Sequence, residues 1–340
     1  MSKTPPPYPP VANLALRDQP SALSTAAPLP PEVLEDLREH TTTARAENTL
    51  AAYKADWSAW LAWCEKMKQN PLPADPVAVA AYASEMSKGG KKYATIRRHL
   101  STISRFHTMR NLPSPAKTEQ VRVVLDSIAR TKGTKQKQMD PITLDELAQI
   151  LSPMKATPYD LRNRALLLTG FHGAFRSSEL AALRCDDVDW RDEGVVITVR
   201  RSKTDQTGQG FEKPLRYTGD TFCAPTALKT WILAAGITEG PLFRVFDRYG
   251  KMGEEGITRT VVNRMIERYC GLAKINAARF ASHSLRAGFV TQALEESNDP
   301  MLIAGMTGHK SLEMIRRYDR RKKRNPFTGV ATLRSREEKK

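Results

Sequence analysis

Seven side chains in the second half of the chain have types and spacings suited to chemistry on an anion. Arg176 and Glu179 lie three apart in GAFRSSELAAL (173–183), and His283 and Arg286 repeat that interval in ASHSLRAGF (281–289). Lys203 stands in RRSKTDQ, and Gly308-His309 leads to Tyr318 nine residues later in GHKSLEMIRRYDRRKKR (308–324). An interval of three puts two side chains on one helical face, so each pair can converge on one ligand. Arginine is a rigid fork of donors matched to phosphate oxygens, and two of them can clamp the charge that gathers on a phosphodiester under attack. Phenol ionises at about pH 10 and is neutral at pH 7. A surrounding run of cations favours the phenolate, and a neighbouring base can take its proton. Lysine on a turn can protonate an alkoxide leaving group. Each piece alone has a plainer reading. R-x-x-E is usually a surface ion pair, a loop lysine is usually solvated, a lone histidine is usually structural, and a late tyrosine is usually packing.

Composition narrows the partner. The chain has 340 residues, 40% apolar, with a formal charge of +16. That length suits two domains, and the charge calls for a polyanion. No apolar run approaches the roughly 18 residues of a spanning helix. The opening MSKTPPPYPP lacks the apolar core of a signal peptide. Cys64, Cys185, Cys223 and Cys270 are scattered without a CxxC pair, which predicts reduced thiols, no metal and a cytoplasmic protein.

The elements that must hold these groups divide the chain. Residues 1–31 carry nine of the 22 prolines and predict a disordered tail. Residues 32–131 read as a helical domain. Leu50, Tyr53, Trp57, Trp60, Leu61 and Cys64 form one stripe at intervals of three and four. Asp75-Pro76 opens a second helix, and 116–130 reads as another. Between them, residues 88–110 hold seven lysines and arginines and no acid. There Tyr93, Ile96, Leu100 and Ile103 predict the buried face. Arg97, Ser101 and Arg105 fall four apart on another, a row of donors for phosphates, with Lys91, Lys92 and Arg98 beside it. The plain alternative is a solvated basic face. Residues 132–141, polar and basic with Gly133 and Pro141, read as a linker. Residues 142–340 read as α+β. A Thr143/Glu146 capping box opens a helix, a strand is expected over 194–201 with its hairpin partner near 212–218, and helices are expected at 225–236, 258–274, 283–296, 299–307 and 311–320. The expected fold is mainly α with a small β-sheet in the second domain, two domains closing as a clamp on a duplex.

Taken in order, R…K…H-x-x-R…G-H…Y resembles the tyrosine recombinase (phage integrase) family, over residues about 45–320. The helical N-terminal half looks most like that of Cre-type site-specific recombinases, although those carry tryptophan where this chain has His309. The resemblance implies that Tyr318 attacks the scissile phosphate, leaving a 3′-phosphotyrosyl link and a free 5′-hydroxyl, with neither ATP nor metal. It implies Arg176 and Arg286 as the clamp, Lys203 as general acid, His283 as base or hydrogen-bond partner, His309 as a phosphate ligand and Glu179 as an orienting group. Lys213, near the same hairpin as Lys203, takes the acid's place if the register differs. The partners implied are a double-stranded recombination site and other copies of the chain, four of them exchanging strands through a Holliday junction, with residues 325–338 docking on a neighbour. The setting implied is the nucleoid of a bacterium, or a phage or other mobile element. Two rivals share the motif: a type IB topoisomerase, and a DNA-binding protein without catalysis.

Overall fold

The computed structural model describes residues 47–135, 138–200, 210–296 and 299–308, with Ser311, Glu313 and Ile315. The expected tail (1–31), the helix at 311–320 apart from those three residues, and the docking segment (325–338) lie outside the described residues. The chain separates into two compact units after Lys137.

In the first unit, α1 (Glu47–Lys66), α2 (Pro76–Lys88), α3 (Tyr93–Met109) and α4 (Glu119–Lys132) enclose their own core. On α1 the buried stripe is Trp57, Trp60, Trp63 and Cys64, while Leu50, Tyr53 and Leu61 are half-buried at its edge. Trp57 stacks on Phe106 of α3 with ring centroids 4.0 Å apart, and Trp60 Nε1 donates to the Pro71 carbonyl. Asp75 caps α2 by accepting from Val77 N, 3.1 Å, with Pro76 at the first helical position. Ile96, Leu100, Ile103 and Phe106 anchor α3, and Tyr93 is half-buried. A buried carboxylate also joins the two long helices. Asp56 of α1 accepts from Arg98 (2.7 Å) and Thr102 (3.2 Å) and lies 3.1 Å from His99 Nε2. Burial of this acid is affordable because α3 surrounds it with donors.

The second unit is built round α6 (Pro158–His172), which follows α5 (Leu144–Leu151). Leu166, Leu167, Leu168 and Phe171 of α6 are all buried, so the helix is covered on every side and shows no single apolar stripe. The Thr143 capping box on α5 is formed, with Glu146 N donating to Thr143 Oγ1 and Thr143 N to Glu146 Oε2. After the short α7 (Ser177–Ala181) comes an antiparallel sheet ordered β1 (Val188–Arg191), β2 (Gly194–Val199), β3 (Phe211–Arg216). Its register sets Val195 opposite Leu215 and Ile197 opposite Lys213. Next come α8 (Ala224–Ala235), the hairpin β4 (Arg244–Phe246) and β5 (Met252–Gly256), α9 (Arg259–Leu272), α10 (His283–Glu295) and α11 (Pro300–Thr307). Within the span expected as linker, Asp140 N donates to the Arg279 carbonyl, so this part of it is strapped to the second unit. The next turn of chain does the same, Ile142 N donating to the Ser284 carbonyl.

Candidate active site

The site is assembled at the turn that ends α6. Gly173 closes the helix, Ala174 takes a left-handed φ of 46°, and Arg176 follows as the N-cap of α7. A left-handed alanine costs roughly 1–2 kcal/mol, a strain that clusters at functional sites. Here it lets consecutive carbonyls, Gly173 O and Ala174 O, each receive a cation. Glu179, buried at 4% exposure, fixes Arg176 twice. Its carboxylate accepts from the Arg176 backbone N (3.0 Å) and from Nη1 (2.6 Å). The i, i+3 interval read from the sequence is thus an oriented fork on a buried acid.

Arg286 lies in the first turn of α10 and is 1% exposed. Its Nη1 donates to Ala174 O (2.8 Å) and its Nη2 to Thr307 O (2.6 Å). It therefore pins the α6–α7 turn to the end of α11. His283 opens α10 with its ring reaching solvent. Crowding by surrounding protein, then the Arg286 and Arg176 cations, hold its pKa below the usual 6.5, so the ring is neutral at pH 7 and able to accept a proton.

A further cation occupies the centre. Lys213, at an inward position of β3, is 2% exposed. Its ammonium donates to Gly173 O and to Met306 O, the latter at 3.1 Å, with the Phe175 and Phe211 rings 4.8 and 5.0 Å away. Burial, then Arg286 and Arg176, pull its pKa down to about 7, with Glu179 opposing them. The signal that places it is period-two alternation. Leu215 points inward, so Lys213, two residues earlier, must as well. Lys203, His309 and Tyr318 lie outside the described residues. The connection carrying Lys203 is bounded by the Val199–Phe211 pair of the β2–β3 ladder.

Arg176 is paired with the Glu179 carboxylate, and Lys213 lies within electrostatic reach of that carboxylate and of both Arg176 and Arg286, so the cluster carries net positive charge. Among the described residues no group of three His, Cys, Asp or Glu is placed to hold a metal, and no helix is long and apolar enough to cross a membrane. Lys91 and Lys92, just before α3, and Arg97, Arg98 and Ser101 on it are exposed, and Arg105 is half-buried. They are not equivalent. Arg98 is bound to Asp56, and the Ser101 hydroxyl donates to the Arg97 carbonyl, 2.9 Å.

Comparison with known proteins gives the arrangement its relatives. An integrase/recombinase xerD homolog of Selenomonas ruminantium is 36% identical over 281 residues, covering 81% of this chain and 82% of that protein. Tyrosine recombinase XerD of Yersinia pestis is 28% identical across 80% of this chain and 86% of its own. Recombinase cre of Escherichia phage P1 is 27% identical over 201 residues, 57% of each. Among solved structures, XerH site-specific recombinase bound to a palindromic difH substrate shares the fold with a TM-score of 0.62 at 17% identity, covering 89% of this chain and 84% of that one. A lambda integrase dimer bound to a COC′ core site gives 0.56 at 18%, covering 81% and 72%. Residues 34–110 match the phage integrase N-terminal SAM-like domain, and residues 141–325, which contain the Arg176–Glu179 and His283–Arg286 pairs, match the phage integrase family itself. The chain belongs to the phage integrase family.

Proposed function

We propose that this chain is a site-specific DNA recombinase that breaks and rejoins strands through a 3′-phosphotyrosyl bond to Tyr318. The observation that carries this reading is the meeting of Arg176, braced by Glu179, with Arg286 and His283 in one cationic cluster, although the two pairs are more than a hundred residues apart. Arg176 is braced by a buried acid before any DNA arrives, so that arm of the clamp needs little reorganisation when charge develops on the phosphate. The names of the relatives, recombinases and an integrase, point the same way.

In this reading the Tyr318 oxygen attacks phosphorus, its proton passes to neutral His283, the bond to the 5′-oxygen breaks, and Lys203 protonates that oxygen. His309 binds a phosphate oxygen beside the arginines. The bond energy stays in the phosphotyrosyl ester, and the reverse step rejoins the strand. Residues 32–131 and 142–340 act as two domains on the duplex, with Lys91 and Lys92 ahead of α3 and Arg97, Ser101 and Arg105 on it along the backbone. Two duplexes, each with two protomers, exchange strands through a Holliday junction.

The test uses a duplex site recovered by binding selection from random DNA and nicked near its centre. On a denaturing gel the wild type is expected to shift the labelled strand as a protein adduct. Tyr318→Phe is expected to bind the site as tightly and to form none. An adduct from the Phe variant would remove Tyr318 from the role. Supercoil relaxation without deletion or inversion on a two-site plasmid would point to a topoisomerase.

A further inference from the structure

Lys213 and Arg286 bridge the same two segments in parallel. Lys213 joins Gly173 O to Met306 O, and Arg286 joins Ala174 O to Thr307 O, the next carbonyl on each side. One segment leads within three residues to Arg176. The other leads within three to His309 and then to Tyr318. We propose that Lys213 is a positioning residue: its buried ammonium staples the carbonyl end of α6 to the carbonyl end of α11 and so sets where Arg176 and the nucleophile's segment stand relative to the scissile phosphate. This rests on the recombinase reading.

The chemistry favours the staple. The last carbonyls of a helix lack intrahelical partners and carry partial negative charge, so a cation between two such ends satisfies both. Phe175 and Phe211 wall the ammonium in, and the far side of Phe211 packs near Gly308, whose left-handed φ of 65° ends α11. A general acid must reach the leaving 5′-oxygen. Lys213 is spent on two backbone oxygens at 2% exposure, which leaves proton delivery to Lys203. Burial, then Arg286 and Arg176, lower its pKa to about 7 while Glu179 opposes them, so the staple is cationic below that pH.

The test separates positioning from acid catalysis by the leaving atom. Adduct formation is timed for the wild type and Lys213→Met on a normal nicked site and on one with sulfur in the 5′-bridging position, whose thiolate leaves without a proton. The expected result is a slowing of about 30- to 100-fold, the scale of a displaced reactant, equal on both substrates and with unchanged site affinity. Amide exchange is expected to quicken at 173–176 and 304–308 and not in α8. Restoration of the rate by sulfur would make Lys213 the acid and overturn the proposal. So would a variant as fast as wild type, or exchange quickened uniformly through α8. If Lys213→Met does not fold, competitive acetylation of the wild-type protein decides. Strong protection of Lys213 relative to exposed Lys229 is expected, and equal labelling overturns the staple. Absence of adduct from the wild type would instead sink the recombinase reading.

Discussion

Glu179 is 4% exposed, bonds Arg176 through its backbone N and its guanidinium, and acts electrostatically on Lys213. Taking one partner from a buried ion pair leaves charge without compensation and costs several kcal/mol. For Glu179→Gln, which keeps the shape and some hydrogen bonding, the expected loss of stability is about 3 kcal/mol at pH 6. The loss should shrink at pH 8.5, and Lys213 gives the sign. In the wild type its pKa is already lowered from 10.5 to about 7, so stability falls as pH drops towards 7 and levels off below it. Glu179 is the group that holds the value up. Without it the folded pKa drops further, and the variant keeps losing stability below pH 7, where the wild type has levelled off. Urea unfolding of both proteins at the two pH values measures this. A difference independent of pH would mean that Glu179 does not act on the lysine.

At the level of elements, α10 is the piece that carries His283 and Arg286, and one glycine sets its depth. A Cβ on Gly288 would lie 2.1 Å from the Ile142 carbonyl oxygen and 2.8 Å from the Phe171 ring, and the carbonyl cannot swing away because it belongs to the backbone. Gly288→Ala is expected to cost about 3 kcal/mol by overpacking and to slow adduct formation well below its melting temperature, since α10 must move outward with both site residues. Thermal denaturation and the nicked-site assay check the two parts. The helices were legible where chemistry marks their ends, at Asp75-Pro76 and at the Thr143/Glu146 box. The β1 strand (VDWR) and the β4–β5 hairpin were not, because acids and glycines depress strand propensity there and tertiary pairing overrides it. In the site, Arg176, Glu179, His283 and Arg286 could be found from their intervals. The acceptors that hold them, at Gly173, Ala174, Met306 and Thr307, are backbone oxygens and leave no mark in residue type. Lys213 could be named only as an alternative acid, and its burial stayed hidden for another reason. A lysine is almost never fully buried, so a strand position that alternation sends inward reads as surface when a lysine fills it.

Over the whole molecule the formal charge is +16, and attraction to a duplex follows from that whatever the sequence of the site. The useful question is which cations face phosphate and which hold the protein together, and α3 contains both kinds. Arg97 is exposed, whereas Arg98, the next residue and about 100° further round the helix, is tied to an aspartate only 2% exposed. Each phosphate neutralised contributes about −0.9 to the slope of log K against log salt. Arg97→Ala is therefore expected to make that slope shallower by about 1 with little change in stability. Arg98→Ala should do the reverse, lowering stability by about 1–2 kcal/mol, because buried Asp56 loses one partner, itself half-exposed, and keeps Thr102 and His99. Gel-shift titrations in rising potassium chloride, paired with urea unfolding, read both quantities. If Arg98→Ala flattened the salt slope and left stability intact, its guanidinium would belong to the DNA and the Asp56 cluster would not be what joins α1 to α3.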